Sequence, residues 1–364
     1  MRPFRIAIPQ SQLDDLHARL DHVRWPDELP EVGWSQGVPL GYMRELVRYW
    51  RHDYDWRAHE SRLNLLPQFA TVIDGQPIHF VHIRSPKPGA LPILMTHGWP
   101  GSFVEFLDVL EPLSLEHDLI VPSLPGYGFS GPTTEPGWDV SRIARAWAVL
   151  AARLGYRRYG AQGGDWGSMI TRELIHIDSR HVVGAHLNML QTPAPRDFAG
   201  LSTQDRTRLD RYRRYRKELS GYFKIQSTRP QTLSYALADS PVGQLAWIVE
   251  RFKDWTDCTD LPEEAVDRDQ MLTNVMIYWL TGTTASAARL YFESPGLRRH
   301  DNSSPVPVGV AVFPHDLMLP VRTLAEQELA IVHWSELDRG GHFAAMEQPG
   351  LFVADVLKFF STLS

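Results

Sequence analysis

Four short segments of this 364-residue chain combine residue types capable of covalent chemistry. The first is Tyr159-Gly160-Ala161-Gln162-Gly163-Gly164-Asp165-Trp166-Gly167-Ser168. It follows a β-like run and precedes a helical pattern, with small residues two before and two after Asp165. That spacing fits a strand–turn–helix elbow, where a strained central residue needs neighbours without bulk. A serine at the centre would favour acyl transfer. A carboxylate is ionised at neutral pH and can attack saturated carbon without prior deprotonation. Taken alone, the segment reads equally well as a glycine-rich turn with an aspartate helix cap. The second segment is Met95-Thr96-His97-Gly98-Trp99-Pro100-Gly101-Ser102. Its open backbone beside a helix start can aim N–H groups at an oxyanion. The Trp99 N–H and that of Trp166 would make a two-donor hole. His97 suits a role in holding the turn by hydrogen bonds better than one in catalysis.

The third and fourth segments come late. A strand over 308–313 runs into Pro314-His315-Asp316, and the next, over 330–334, runs into Asp338-Arg339-Gly340-Gly341-His342-Phe343. An acid after one strand and a histidine after the next, both downstream of the nucleophile, is the chain order of an α/β-hydrolase. Each match alone is weak; four in order are specific. His342 is the expected base, and His315 beside Asp316 is its rival. The other histidines show no metal spacing: His79 and His82 would point to opposite faces of a strand.

The elements that must position these residues follow from periodicity. Residues 1–66 read as helical and arginine-rich, with apolar Leu13, Leu16 and Leu20 on one face and no strand pattern. From Phe69 the period changes, and Asp74-Gly75 joins two β runs as a hairpin. Short apolar runs at 92–95, 119–121, 158–161 and 182–187 then alternate with helix candidates at 103–113, 140–154 and 166–177, with a last one at 351–360. Such alternation predicts a mostly parallel sheet covered on both faces. It stops between about 193 and 299, a helical interval that reads as a lid and carries the arginine-rich stretch 206–217. The expected organisation is a helical arm over 1–66, an α/β core over 67–192 and 300–364, and the lid over 193–299.

Composition narrows the function. The chain is 43% hydrophobic and 22% charged, which excludes intrinsic disorder as the main state. A net charge of −6 makes nucleic acid an unexpected partner. The single Cys258 rules out an internal disulfide and a cysteine-based zinc site. No run of apolar residues is long enough for a signal peptide or a membrane span, so a cytoplasmic protein without a membrane anchor is expected. Lysine supplies only 5 of the 37 basic residues, a bias that suggests a bacterium with GC-rich DNA.

With these motifs in place, the chain resembles the epoxide hydrolases of the microsomal and juvenile-hormone type, within the α/β-hydrolases. The resemblance covers nearly the whole chain. It rests on Val23-Arg24-Trp25-Pro26, His97-Gly98-Trp99-Pro100, Gly163-Gly164-Asp165-Trp166-Gly167-Ser168 and Asp239-Ser240-Pro241-Val242-Gly243. It implies that Asp165 is the nucleophile, His342 the base and Asp316 its acid partner. It also implies that two lid tyrosines polarise the epoxide oxygen: Tyr222 in Ser220-Gly221-Tyr222, and Tyr291 in Arg289-Leu290-Tyr291-Phe292-Glu293. The implied reaction adds water to a small-molecule epoxide through an Asp165 ester and needs no metal or organic cofactor. Twelve tryptophans and a large lid are compatible with an apolar or aryl substrate. Detoxification and natural-product biosynthesis both fit, and association into a homo-oligomer stays open. The alternatives are a haloalkane dehalogenase on the same scaffold, which has no use for a tyrosine pair, and a non-catalytic ligand-binding homologue, which has no use for His342.

Overall fold

The computed structural model describes residues 1–193, 195, 197, 200–294 and 304–363. The boundary expected at 299/300 lies outside the described residues. The strands are β1 (Arg2–Pro3), β2 (Gln68–Ile73), β3 (Gln76–Ile83), β4 (Ile93–Thr96), β5 (Leu119–Pro122), β6 (Tyr159–Gly163), β7 (Val182–Asn188), β8 (Ser304–Val312) and β9 (Leu329–Glu336). Among the described residues they form one sheet in the order β1-β2-β3-β5-β4-β6-β7-β8-β9. From β5 to β9 every pairing is parallel; β1, β2 and β3 add antiparallel neighbours at one edge. All residues of β4, β5 and β6 are buried, as expected of parallel strands covered on both faces. Asp74 and Gly75 both take positive φ, which closes the β2–β3 hairpin in the way its two-residue turn requires.

Two expectations need correction. The first 66 residues are not free of strand, because Arg2 and Pro3 pair with Ala70 and Phe69 of β2. A two-residue edge strand is too short to leave a period in the sequence. The helix expected over 103–113 is a 3₁₀ turn, Phe103–Phe106, followed by an α-helix, Leu107–Ser114. Ser102 caps that turn by accepting from the Val104 N–H at 3.3 Å.

Before β2 the chain forms helices Gln10–Asp21, Leu40–His52 and Trp56–Leu63, with Leu13, Leu16 and Leu20 buried as their spacing required. Between β7 and β8 the described chain is helical, from Thr203–Arg214 through Gly221–Thr228, Pro230–Asp239, Pro241–Trp255 and Arg268–Thr281 to Thr284–Glu293. Helix Arg268–Thr281 stands between the arm and the core. Trp50 donates to the Met276 sulfur at 3.2 Å, and Tyr54 and Thr273 share a hydrogen bond of 2.9 Å. Its other side holds the loop after β4: Asn274 donates to the Pro100 carbonyl and Tyr278 to the Gly101 carbonyl, each at 2.7 Å.

The sheet order reverses direction around β4, whose neighbours are β5 and β6. In an open parallel sheet such a switch opens a crevice at the carboxyl ends of the strands. The loops that carry Trp99 and Asp165 leave those ends.

Candidate active site

Asp165 is the last residue before helix Trp166–Ile177 and adopts φ 50°, ψ −126°. A non-glycine residue pays a steric cost there, and such strain persists only where packing enforces it. The packing is backbone against backbone. A Cβ on Gly167 would lie 1.9 Å from the Thr96 carbonyl oxygen, and one on Gly163 would lie 2.2 Å from the Gly167 oxygen. A Cβ on Gly98 would fall 2.3 Å from the Asp165 Cβ. The small residues thus let the elbow and the β4 loop touch, which brings the Asp165 carboxylate under the β4 loop.

The Trp99 N–H donates to Asp165 Oδ1 at 2.8 Å, and the Trp166 N–H donates to the same carboxylate. His342 Nε2 stands 3.5 Å from Asp165 Oδ2, and its Nδ1 bonds Asp316 Oδ1 at 2.9 Å. Asp316 Oδ1 also accepts from the Leu317 N–H at 2.7 Å. The candidates from four loops therefore meet at one point. His315 does not join them; it is half-exposed and pairs with Asp257 at 3.2 Å. His97 holds its turn: its ring bonds the Gly98 carbonyl at 3.0 Å and accepts from the Leu124 N–H at 3.1 Å. Burial pulls that imidazole down to about 4, so it is neutral.

Burial raises the Asp165 carboxyl above the usual aspartate range, while His342 and the two backbone donors oppose the rise. His342 shows the reverse balance. Burial works against its cation, but Asp316, and after it Asp165 and Glu105, prevail and push it up to about 9. The neighbouring carboxylates thus favour the protonated imidazole, and the imidazole in turn favours an ionised Asp165.

Tyr222 and Tyr291, from helices between β7 and β8, reach the same site. The Tyr222 ring stacks on Trp99 with centroids 5.2 Å apart, and Tyr291 packs edge-on against Trp166 at 4.8 Å. Both phenols are buried and driven well above their ordinary range, which keeps them protonated. With Asp165 they line a cavity of about 160 Å³ whose other walls include Met169, Phe223 and Leu317.

The structure adds residues that the sequence reading missed. Tyr215 lines the same cavity, and its hydroxyl meets that of Tyr222. Arg211, in helix Thr203–Arg214, donates to the Pro314 and Asp316 carbonyls, each at 2.7 Å, and so braces the loop of Asp316. Glu347 accepts from the Phe343 N–H at 2.9 Å and the Asp257 N–H at 2.8 Å, fixing the loop of His342. Glu105 lies beneath the β4 loop, and burial pushes its carboxyl up to about 8. Arginines 208 and 211 belonged to a stretch read only by its charge, and nothing in its pattern marked which of them turn inward.

A parallel sheet, an elbow carrying a carboxylate, and an acid and a histidine after later strands define an α/β-hydrolase. Comparison with known proteins narrows the class. Residues 1–106 match the family described as epoxide hydrolase N terminus, and residues 92–232 match the alpha/beta hydrolase fold. A Stigmatella aurantiaca protein provisionally named an epoxide hydrolase is 48% identical over 99% of this chain and 85% of its own length. Epoxide hydrolase 1 of Oryctolagus cuniculus is 35% identical over 99% of this chain and 88% of its own. The crystal structure of juvenile hormone epoxide hydrolase from Bombyx mori superposes with a TM-score of 0.94 at 32% identity, covering 100% of this chain and 94% of that one. The chain belongs to the epoxide hydrolase family. Among the described residues, no helix is long and apolar enough to cross a membrane.

Proposed function

We propose that the chain converts an apolar or aryl epoxide and water to a vicinal diol through an alkyl ester on Asp165. The observation that carries this reading is a carboxylate in an elbow, 2.8 Å from the Trp99 N–H and 3.5 Å from His342, beneath two buried tyrosines. Oδ1 is held by the Trp99 N–H, which leaves Oδ2 to attack a ring carbon. As the carbon–oxygen bond breaks, Tyr222 and Tyr291 donate hydrogen bonds to the ring oxygen and one of them gives it a proton. His342, oriented by Asp316, then removes a proton from water, and that water adds to the carbonyl carbon of the ester. The Trp99 and Trp166 N–H groups hold the oxyanion. Its collapse expels the diol oxygen, which takes the proton of the newly added hydroxyl; Asp165 regains its carboxylate with one oxygen from water, and a proton held by His342 restores the tyrosine. The tyrosine pair favours an epoxide over a haloalkane, since halide departure needs no proton.

In this reading residues 1–66 form an arm, 67–192 and 300–364 the core, and 193–299 a lid that supplies the tyrosines. The enzyme acts in the cytoplasm of a bacterium. Oxygen labelling tests the mechanism. A single turnover in heavy-oxygen water with enzyme in excess should give largely unlabelled diol, and after many turnovers the peptide containing Asp165 should carry the label. Labelled diol in the first turnover, with a light peptide, would mean that Asp165 acts only as a general base.

A further inference from the structure

We infer that Tyr215 is a third tyrosine of the ring-opening apparatus, a positioning residue whose hydroxyl donates to the Tyr222 oxygen and so turns the Tyr222 proton toward the substrate. This rests on the reading of Tyr222 as a donor to the epoxide. The two hydroxyls are hydrogen-bonded to each other inside the cavity that Asp165 lines. Each phenol carries one proton, so the contact holds one and leaves the other free. Were Tyr222 the donor, its proton would be spent on Tyr215 and withheld from the epoxide. With Tyr215 as donor, the Tyr222 proton is free to point into the cavity. Among the described residues neither hydroxyl has another hydrogen-bond partner.

The surroundings hold both rings in place. Tyr215 opens a π-helical turn, Tyr215–Leu219, between helices Thr203–Arg214 and Gly221–Thr228. Such turns interrupt a helix at a local cost and recur at functional sites. Here the turn and the break at Ser220 let residues seven apart in sequence meet at their hydroxyls. Tyr212 stacks on Tyr215 with centroids 6.4 Å apart, and Gln191 donates to the Tyr212 hydroxyl at 3.1 Å. On the other side, the guanidinium of buried Arg251 lies 5.1 Å from the Tyr222 ring centroid, where it favours negative charge on that phenol.

The test resolves the two half-reactions by rapid quench and intact mass, with styrene oxide as probe. Tyr215→Phe should slow formation of the ester about tenfold to a hundredfold, the range for a lost hydrogen bond to a charged group. Affinity for unreacted epoxide and the rate of ester hydrolysis should stay as in the wild type. Because Tyr215 acts through Tyr222, Tyr215→Phe should cost nothing further in a Tyr222→Phe background. Incorporating 3-fluorotyrosine at position 215, which keeps the hydroxyl and strengthens it as a donor, should restore the rate. A wild-type rate in Tyr215→Phe beside a slow Tyr222→Phe would overturn this inference alone, as would losses that multiply in the double variant. A wild-type rate in Tyr222→Phe would instead overturn the reading on which it rests.

Discussion

Replacing Asp165 by asparagine copies, in charge and shape, what ester formation does to the carboxylate, and should expose His342 as it stands in the covalent intermediate. His342 Nε2 lies 3.5 Å from Asp165 Oδ2; His342 is buried and the Asp165 side chain is only partly exposed. At that separation, losing one unit charge changes the interaction by roughly 1 kcal/mol at the dielectric of water and about 5 kcal/mol at an effective dielectric of 20. One pKa unit corresponds to about 1.4 kcal/mol, so His342 should fall by roughly one to three and a half units. Its starting point is about 9. The sign has a mechanistic meaning. An ionised Asp165 favours the protonated form of His342. In the proposed mechanism, esterification would remove that charge, lower the His342 pKa and favour its action as the base toward water. Histidine-labelled protein followed by NMR would give both titrations, with intact mass confirming that the asparagine persists. Stability should report the same coupling. A group raised from 6.5 in the unfolded chain to about 9 in the folded one stabilises fully below 6.5 and loses that contribution as pH rises through 9. The wild type should therefore lose stability across that window, and Asp165→Asn should lose less. A His342 that titrates at an unchanged or higher pH in Asp165→Asn would refute the reasoning.

The remaining predictions concern the same chamber. Tyr222→Phe and Tyr291→Phe should each slow ester formation roughly a hundredfold to a thousandfold, the usual loss for one oxyanion donor, as read in single-turnover experiments. His342→Gln should still react with an epoxide and stop at the ester, seen as one substrate mass added per chain, while His315→Gln turns over normally; the opposite pattern would make His315 the base. Asn274→Ala leaves the Pro100 carbonyl without its donor and loosens the loop carrying the Trp99 N–H. Ester hydrolysis should slow by about tenfold and ester formation by less, since an unsatisfied buried acceptor costs about 1–3 kcal/mol. Equal losses in both steps would show that the loop serves them alike.

What the sequence made legible was local. Gly163, Asp165 and Gly167 announce an elbow because only small residues permit its backbone contacts, and that constraint is written within five positions. The order of Asp165, Asp316 and His342 was readable for a similar reason: each follows a strand whose apolar run is visible. The lid was legible only as helix. Tyr215 and Tyr222 meet because a π-helical turn and the break at Ser220 reorient the chain, and neither has a residue signature. Arg208 and Arg211 looked like a charged surface, yet Arg208 bonds Glu336 at 2.8 Å and Arg211 holds the carbonyl of Asp316 itself. An arginine that donates to loop carbonyls and one that faces water are the same letter.

The arm shows most clearly why the remainder was hidden. Helix Arg268–Thr281 is buried on all sides over residues 271–278, so it carries no amphipathic stripe to reveal what it touches. Its contacts nevertheless divide by angle. Asp269, Thr273 and Met276, spaced by four and three residues, face the arm through Tyr49, Tyr54 and Trp50. Asn274 and Tyr278, spaced by four, lie on the opposite side and grip the carbonyls of Pro100 and Gly101. The helix is a spacer of fixed thickness between the arm and the loop whose Trp99 N–H holds Asp165. Trp50 and Tyr54 therefore reach the loop of Trp99 through one buried helix.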